Sequence, residues 1–142
     1  MSSLSVRLSA IADFIAKGSR VCDVGTDHAL LAIHLIKSGI AKQVIATDIG
    51  KKPLKNALKN IENANVCGID LRLCDGLSGI SENEADTVVI AGMGGEVISG
   101  IIKRGADIAK NVTLILQPTT SPEFLRLFLY NEGYRILEEV PI

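Results

Sequence analysis

Hydrophobic residues along the chain alternate between positions with helical spacing and short unbroken runs. Leu4, Leu8, Ile11 and Ile15 recur at helical intervals, which predicts a first helix that stops at Gly18. Five apolar runs follow, and they read RVCDVG, QVIATDI, IDLRLCDG, ADTVVIAG and NVTLILQP. Runs of this length bounded by turn residues are typical of buried strands, so we predict a sheet with strands in these places.

Stretches with helical spacing separate the predicted strands. The predicted helices cover 27–38, a stretch that begins near Pro53, 96–104, and a stretch from Pro122 to Gly133. The first of these would be capped by Asp27 or Thr26 and ended by Gly39. YRILEEVPI then predicts the beginning of a sixth strand. Alternating strands and helices favour right-handed crossovers, so we expect a Rossmann-like α/β fold: a mostly parallel sheet, helices on both faces, and its last strand or strands missing.

Composition narrows the class of protein. A length of 142 residues suits one domain, and no apolar run is long enough to cross a membrane. The three cysteines contain no C-x-x-C pair, which favours a reduced, cytoplasmic setting, and two histidines make a structural zinc site improbable, so we expect no metal. A net charge of -1 and 4% aromatic residues are unlike a domain that binds nucleic acid unaided or stacks several bases.

The carboxyl ends of the predicted strands collect acidic residues. In an open parallel sheet, ligands bind beyond these ends. The candidate cofactor-binding residues there are Asp23, Gly25, Thr26, Asp27 and His28 after the first strand, Asp48 and Ile49 after the second, Asp75 and Gly76 after the third, and Ala91, Gly92 and Met93 after the fourth. Carboxylates on both sides of Gly25 would repel a pyrophosphate and attract a cationic ligand. S-adenosylmethionine (SAM) carries a sulfonium, an ammonium and a ribose diol, and no phosphate.

Each acid also has a simpler interpretation. Asp48, which lies after the second strand, suits the two ribose hydroxyls, but the same spacing fits NAD equally well. Asp75 could accept a hydrogen bond from the adenine amino group, although an Asp-Gly pair is common in turns. Asp27 could contact a ligand, cap the predicted helix, or do both. His28, in the first turn of that helix, could contact substrate or only pack. Together the residues favour a SAM-dependent class I methyltransferase more than any one of them does.

Five segments carry a resemblance to a known family. DVGTDHALLAIHL, ATDIGKKPLKNA, CDGL, IAGMGGEVI and LILQP resemble the TrmK family of bacterial tRNA (adenine-N1)-methyltransferases, which modify position 22. The resemblance runs from RLSAIADFI through the predicted sixth strand, and DVGTDHA and IAGMGG are far more specific than a generic glycine-rich loop. It implies that SAM is the cofactor and that tRNA is the partner.

The resemblance also assigns roles to residues. Asp23, Gly25, Asp27 and His28 would form the first cofactor loop, Asp48 would contact the ribose, and Asp75 with Gly76 would contact the adenine. Asp27, His28 and Met93 are the candidate catalytic residues. Asp27 would stabilise the charge of the methylated base, and His28 would orient that base. The candidate substrate-binding residues are Arg7, Gly94, Gly95, Gln117 and Pro118.

Several alternatives stay open at this point. Family members carry a further C-terminal helical region thought to help grip tRNA, and this chain ends before it. We therefore expect residues 1–142 to be the SAM-binding methyltransferase domain, which could also be a SAM-binding fragment without activity or act on another substrate. An NAD-dependent oxidoreductase would need G-x-G-x-x-G, and GTDHAL lacks the second and third glycines. The oligomeric state and the set of tRNAs are not specified by the sequence.

Overall fold

The computed structural model describes residues 4–141 and contains a five-stranded sheet with the order β3-β2-β1-β4-β5. All neighbouring strands are parallel. The strands are β1 Ser19–Val24, β2 Ala41–Asp48, β3 Ile69–Leu73, β4 Thr87–Met93 and β5 Thr113–Pro118. The helices are α1 Val6–Asp13, α2 Leu30–Lys37, α3 Lys51–Ala64, α4 Gly95–Arg104, α5 Ala106–Ala109 and α6 Pro122–Asn131. The five predicted strands and the Rossmann-like α/β class are confirmed.

Hydrophobic packing covers both faces of the sheet. On one face, Val21 and Val89 belong to a buried cluster with Leu35 of α2. On the other face, Cys22 and Val88 belong to a second cluster, which α4 and α6 complete. Adjacent residues of β1 and of β4 therefore point into different cores, because side chains alternate along a strand. This explains why the apolar runs of these central strands are unbroken.

The strand order places a switch point between β1 and β4. The chain runs outward from β1 to β2 and β3, and then returns to add β4 on the other edge of β1. The crossovers on the two sides of β1 therefore diverge, which leaves a crevice at the carboxyl ends of the strands. The acidic residues predicted at those ends consequently share one edge of the sheet.

The beginning of α2 corrects one prediction. The helix begins at Leu30 rather than at 27, its N-cap is Ala29 with φ 61°, and no side chain caps it. Thr26 lies three residues before this N-cap, and its hydroxyl donates to buried Asp23. Asp27 lies two residues before it, has φ 55° and donates its N–H to Asp48. His28 therefore lies in the turn before the helix and not in its first turn.

The two ends of the chain differ from the sequence-based prediction as well. Helix α1 ends at Asp13, before Ile15 and well before Gly18. The predicted sixth strand does not form over 134–141, and Ile142 lies outside the described residues. Among those described residues no strand pairs with this segment. Its exposed part is instead attached to α6 by an ion pair between Glu139 and Arg126 at 3.0 Å.

Candidate functional site

A cleft of about 510 Å³ opens at the carboxyl ends of the strands. Its volume lies within the range of small-molecule sites, roughly 300–1,000 Å³. Every residue predicted to bind the cofactor lines it, and so does Arg7 from α1. Gly94, Gly95, Gln117 and Pro118, which were predicted to contact substrate, do not line it. The structure therefore brings together residues from four strand ends and leaves the rest of the predicted substrate set outside.

Gly25 is favoured by its backbone conformation, and the end of the Met93 side chain occupies the space beside it. It has φ 70°, a conformation that favours glycine. A Cβ atom at this position would lie 2.5 Å from the Cε atom of Met93. The single glycine of the first loop thus serves a positive-φ turn beside the Met93 side chain, which is a different use from wrapping a phosphate.

Asp23 is a buried carboxyl group at the floor of the cleft. The Thr26 hydroxyl donates to its Oδ2 atom at 2.9 Å. Burial raises the pKa of Asp23 to about 7 from an ordinary value of 3.8, and the negative charge of Asp48 raises it further, whereas Thr26 and the cation of Arg7 act in the opposite direction. A bound cation would favour the ionised form of the Asp23 carboxyl.

The pKa of Asp23 predicts a pH dependence of stability. Between about pH 4 and pH 7 the unfolded Asp23 is ionised and the folded one holds its proton, so the folded state binds more protons. The contribution of this group to the free energy of unfolding therefore falls as pH rises through this window. The side chain introduced by Asp23→Asn does not titrate, so the variant does not lose stability in this way. The unfolding free energy of the wild type relative to that of the variant should therefore fall by about 2–4 kcal/mol from pH 4 to pH 8.

Urea denaturation at pH 4, 6 and 8 measures this difference directly. In Asp23→Asn the side-chain amide oxygen would still accept the hydrogen bond from Thr26, so packing is nearly conserved. Asp13→Asn, at an exposed position at the end of α1, is the matched control. Parallel stability curves for wild type and Asp23→Asn would contradict the prediction.

Asp48 lies at the end of β2, and each of its two carboxylate oxygens accepts one hydrogen bond. Oδ2 accepts from the Asp27 N–H and Oδ1 accepts from the Gly50 N–H, each at 3.1 Å. These bonds fix the carboxylate relative to the first loop. Each oxygen of a carboxylate has a second acceptor site, so Asp48 can still accept from a pair of hydroxyl groups.

Asp27 and His28 form the outer rim of the first loop. The Asp27 Oδ2 atom lies 3.7 Å from the His28 Nε2 atom, and both side chains are at least half exposed. The His28 carbonyl accepts from Asn60 of α3 at 2.9 Å, which anchors the loop to that helix. Asp27 and His28 are thus held beside each other at the mouth of the cleft, where an incoming substrate can reach them.

The far end of the cleft contains a residue that the sequence analysis missed. Arg104 of α4 lies 3.6 Å from Asp75, and both side chains are largely exposed. Val97 and Ile101 line the same part of the cleft. The spacing of these three residues puts them on one helical face, and this signal could have identified Arg104. The Asp75 carboxylate therefore already has one cation beside it, the Arg104 guanidinium, when a ligand approaches.

The end of β4 bends at Gly92. The register with β5 shifts between Ala91 and Met93, and Gly92 has φ 75°. The Gln117 side chain accepts from the Gly92 N–H at 3.1 Å, and a Cβ at Gly92 would lie 3.1 Å from Nη1 of Arg7. Gln117 thus supports the bend from behind, and Arg7 covers it from the cleft side.

The remaining predicted substrate residues hold the loop after β5. Pro118 pairs with Met93 across the two strands. Gly94 is the N-cap of α4, and the Gly95 N–H donates to the Thr120 carbonyl at 2.8 Å. These contacts join the start of α4 to the β5–α6 loop, which explains their position outside the cleft.

Residues 4–141 lack two features that would suggest other functions. This part of the chain has no group of three metal-binding side chains that could hold an ion. It also has no helix long and apolar enough to span a bilayer.

Comparison with known proteins identifies the family. Residues 4–142 match the family described as "Methyltransferase domain". The chain belongs to this family. The methyltransferase domain is 37% identical over 139 residues to the tRNA (adenine(22)-N(1))-methyltransferase of Bacillus subtilis, and the alignment covers 96% of this chain and 58% of that protein. It therefore spans less than two thirds of the length of this relative.

Solved structures agree with the family assignment. Streptococcus pneumoniae Sp1610 in complex with S-adenosyl-L-methionine superposes on the methyltransferase domain with a TM-score of 0.91 at 37% identity, covering 96% of this chain and 65% of that one. M. capricolum TrmK in complex with S-adenosyl-homocysteine gives a TM-score of 0.87 at 35% identity, covering 98% of this chain and 62% of that one. The resemblance to the TrmK family is confirmed.

Proposed function

We propose that this methyltransferase domain transfers the methyl group of SAM to N1 of adenine 22 in tRNA. One observation carries the proposal: the acidic strand ends converge on one cleft, and the first loop that lines it has a single glycine instead of the glycine-rich pattern of a phosphate-binding loop. The relatives add support, since the B. subtilis protein is named for this reaction and the M. capricolum protein holds S-adenosyl-homocysteine.

The residues of the cleft fit SAM by their chemistry. Asp48 has free acceptor sites for the two ribose hydroxyls, and Asp75 can accept from the adenine amino group. Asp23 lies deepest and would face the ammonium group. A pyrophosphate would instead meet the carboxylates of Asp23, Asp27 and Asp48 in one small volume, which disfavours NAD.

The remaining cofactor-binding residues would give the site a shape that is complementary to the cofactor. Gly25, Gly76 and Gly92 have positive φ angles and keep the backbone close to the ligand. Thr26, Ile49, Ala91 and Met93 complete the walls. We keep Arg7 as a substrate contact, because its half-buried guanidinium at the cleft would pair with an anionic group of the RNA.

The reaction depends mainly on positioning the adenine against the methyl group and on stabilising the charge that develops on the base. Bound SAM supplies a methyl group on a sulfonium, which leaves as a thioether. Adenine N1 is already a nucleophile, so the protein needs no strong base; it must align the base and exclude water. Methylation at N1 makes the base cationic, and the Asp27 carboxylate at the rim would stabilise that charge as it develops. His28 beside it would orient the base, and Met93 would pack against it.

Calorimetry tests the cofactor first. Titration of SAM into the 142-residue chain should show saturable binding, and titration of NADH should show none. Transfer of a labelled methyl group to tRNA, followed by nucleoside analysis for N1-methyladenosine, then tests the reaction. SAM binding without methyl transfer to tRNA would mean that the domain is either a methyltransferase that acts on another substrate or a SAM-binding fragment without activity. Binding of NADH in place of SAM would reject the proposal.

The catalytic assignment makes a separate prediction. Asp27→Asn and His28→Ala should each lower turnover by about 10- to 100-fold, because they remove charge stabilisation or orientation in the transition state. The dissociation constant for SAM should stay within about threefold of wild type if these groups act mainly on the base. Single-turnover methyl transfer and calorimetry measure the two quantities. Asp107→Asn, at an exposed position on α5, is the control. Normal turnover in both variants would remove these residues from the mechanism.

A further inference from the structure

Helix α3 carries an uncompensated positive surface. The lysine face of α3, as we call it, consists of Lys51, Lys52, Lys55 and Lys59, all exposed. The helix contains one acidic residue, Glu62. Within residues 4–141, the ion pairs at 4.0 Å or less involve other residues and none of these four lysines. A chain with a net charge of -1 therefore concentrates free cations on one helix.

The position of these lysines does not favour the helix itself. Lys51 and Lys52 lie in the first turn, which has no acidic residue, at the end where the helix dipole is already positive. Lys51, Lys55 and Lys59 follow one another at intervals of four, so that like charges are neighbours on the helix surface. Lys37 provides a contrast, since it lies in the last turn of α2, where the dipole favours a cation. Helix stability therefore does not account for the lysine face.

The lysine face begins where the cleft begins. Ile49 and Pro53, on either side of the first lysines, line the cleft. Further along α3, Asn60 holds the carbonyl of His28 at 2.9 Å, so the helix supports the loop that carries Asp27 and His28. The lysine face thus belongs to a helix that reaches the cleft through Pro53 and the rim loop through Asn60, beside the place where a substrate would meet the candidate catalytic residues.

We infer that the lysine face of α3 binds the phosphodiester backbone of the tRNA next to the target adenine, an inference that rests on the proposed function. The cleft itself is lined by Asp27, Asp48 and Asp75, which repel phosphates. Apart from the one anionic group that Arg7 would pair with at the cleft, the backbone would therefore stay outside while the unstacked base enters. Lysine side chains are flexible point charges suited to phosphates, and contacts of this kind position RNA without reading its sequence.

Charge reversal tests the inference with a control of equal net charge. The test variant is Lys52→Glu/Lys55→Glu/Lys59→Glu. The control is Lys17→Glu/Lys37→Glu/Lys42→Glu. These three lysines are exposed and lie near the amino ends of β1 and β2, at the end of the sheet opposite the cleft. The Gly18 N–H donates to the Ile40 carbonyl at 2.7 Å, which brings these control segments together.

Fluorescence anisotropy with labelled tRNA at several salt concentrations gives the affinity. The test variant should bind about 10- to 100-fold more weakly at about 50 mM salt, and the slope of log affinity against log salt should decrease in magnitude by about 2–3. The control should stay within about threefold of wild type. Equal weakening of both variants, or no tRNA binding by the wild type, would overturn the inference.

Two further readouts separate this surface from a structural role and from the proposed function. Neutral Lys52→Gln/Lys55→Gln/Lys59→Gln relieves repulsion in α3, so it should keep or raise Tm, keep the SAM affinity, and raise the KM for tRNA with kcat unchanged. A lower Tm with unchanged tRNA affinity would mean that the lysines only support the fold, and would overturn the inference. If the wild type binds tRNA through α3 and binds SAM but transfers no methyl group, the proposed function fails and the tRNA-binding surface stands.

Discussion

Replacing Asp48 by alanine should weaken SAM binding by about 100-fold. The carboxylate is held by the N–H groups of Asp27 and Gly50, so its remaining acceptor sites are aimed before any ligand arrives. A hydrogen bond to a charged group contributes about 1.5–3 kcal/mol, and the loss of two such bonds, partly compensated by water, corresponds to about 2.7 kcal/mol. The alanine variant also leaves the Asp27 N–H without its partner, which loosens the first loop.

Calorimetry on three proteins isolates this contribution. Asp48→Asn keeps an acceptor and loses the charge, so we expect a loss of about 10-fold in SAM affinity. Asp13→Ala, far from the cleft, should bind SAM as the wild type does. Circular dichroism and urea denaturation check that each variant is folded. Unchanged affinity in a folded Asp48→Ala protein would show that the ribose lies elsewhere and would remove Asp48 from the cofactor site.

Replacing Gly95 by alanine should lower the free energy of unfolding by about 2–3 kcal/mol. The new Cβ would collide with the Ser121 carbonyl oxygen and lie 3.0 Å from its carbon, and these are backbone atoms that cannot rotate away. Ser121 already has φ 51°, a strained value for a residue with a side chain. The β5–α6 loop would have to move as a unit.

A second glycine on the same helix provides the control. At Gly100 a Cβ would meet only the Nη1 atom of Arg104 at 3.1 Å, the far end of a flexible side chain. Alanine is favoured over glycine inside a helix by about 1 kcal/mol, so Gly100→Ala should be neutral or stabilising. Urea denaturation with the m-value fitted separately compares the two variants. Equal unfolding free energies for Gly95→Ala and wild type would contradict the prediction, because they would mean that the β5–α6 loop can move away from the new Cβ without loss of stability.

The positions of Asp23, Asp48 and Asp75 could be predicted because topology alone determines them. In a parallel sheet the carboxyl ends of all strands meet at one edge, so residues distant in sequence become neighbours without knowledge of packing. The bonds between these residues could not be predicted in the same way. Thr26 fits an N-cap by its local sequence, but its hydroxyl donates to buried Asp23 and α2 begins four residues later, at Leu30.

Other differences come from side chains that the strand-end argument does not include. Arg104 reaches the cleft from the last turn of α4, where no strand end points to it. Gly95 and Gln117 belong to a sequence pattern that indicates a ligand site, although their contacts are with Thr120 and Gly92. The segment after Gly133 predicts a strand, but a strand needs a neighbour to pair with, and residues 134–141 have none among the described part of the chain.

The pairing of β1 with β4 also determines when the domain can be completed during translation. Val21–Val24 pair with Thr87–Ile90, so the centre of the sheet cannot form until β4 has left the ribosome, which happens after β1, β2 and β3 have all emerged. A nascent chain that ends before Thr87 contains the loop of Gly25 but lacks the opposite wall formed by Met93. A ligand stabilises only the state that binds it. Bound cofactor can therefore assist only those steps of folding that follow the emergence of β4.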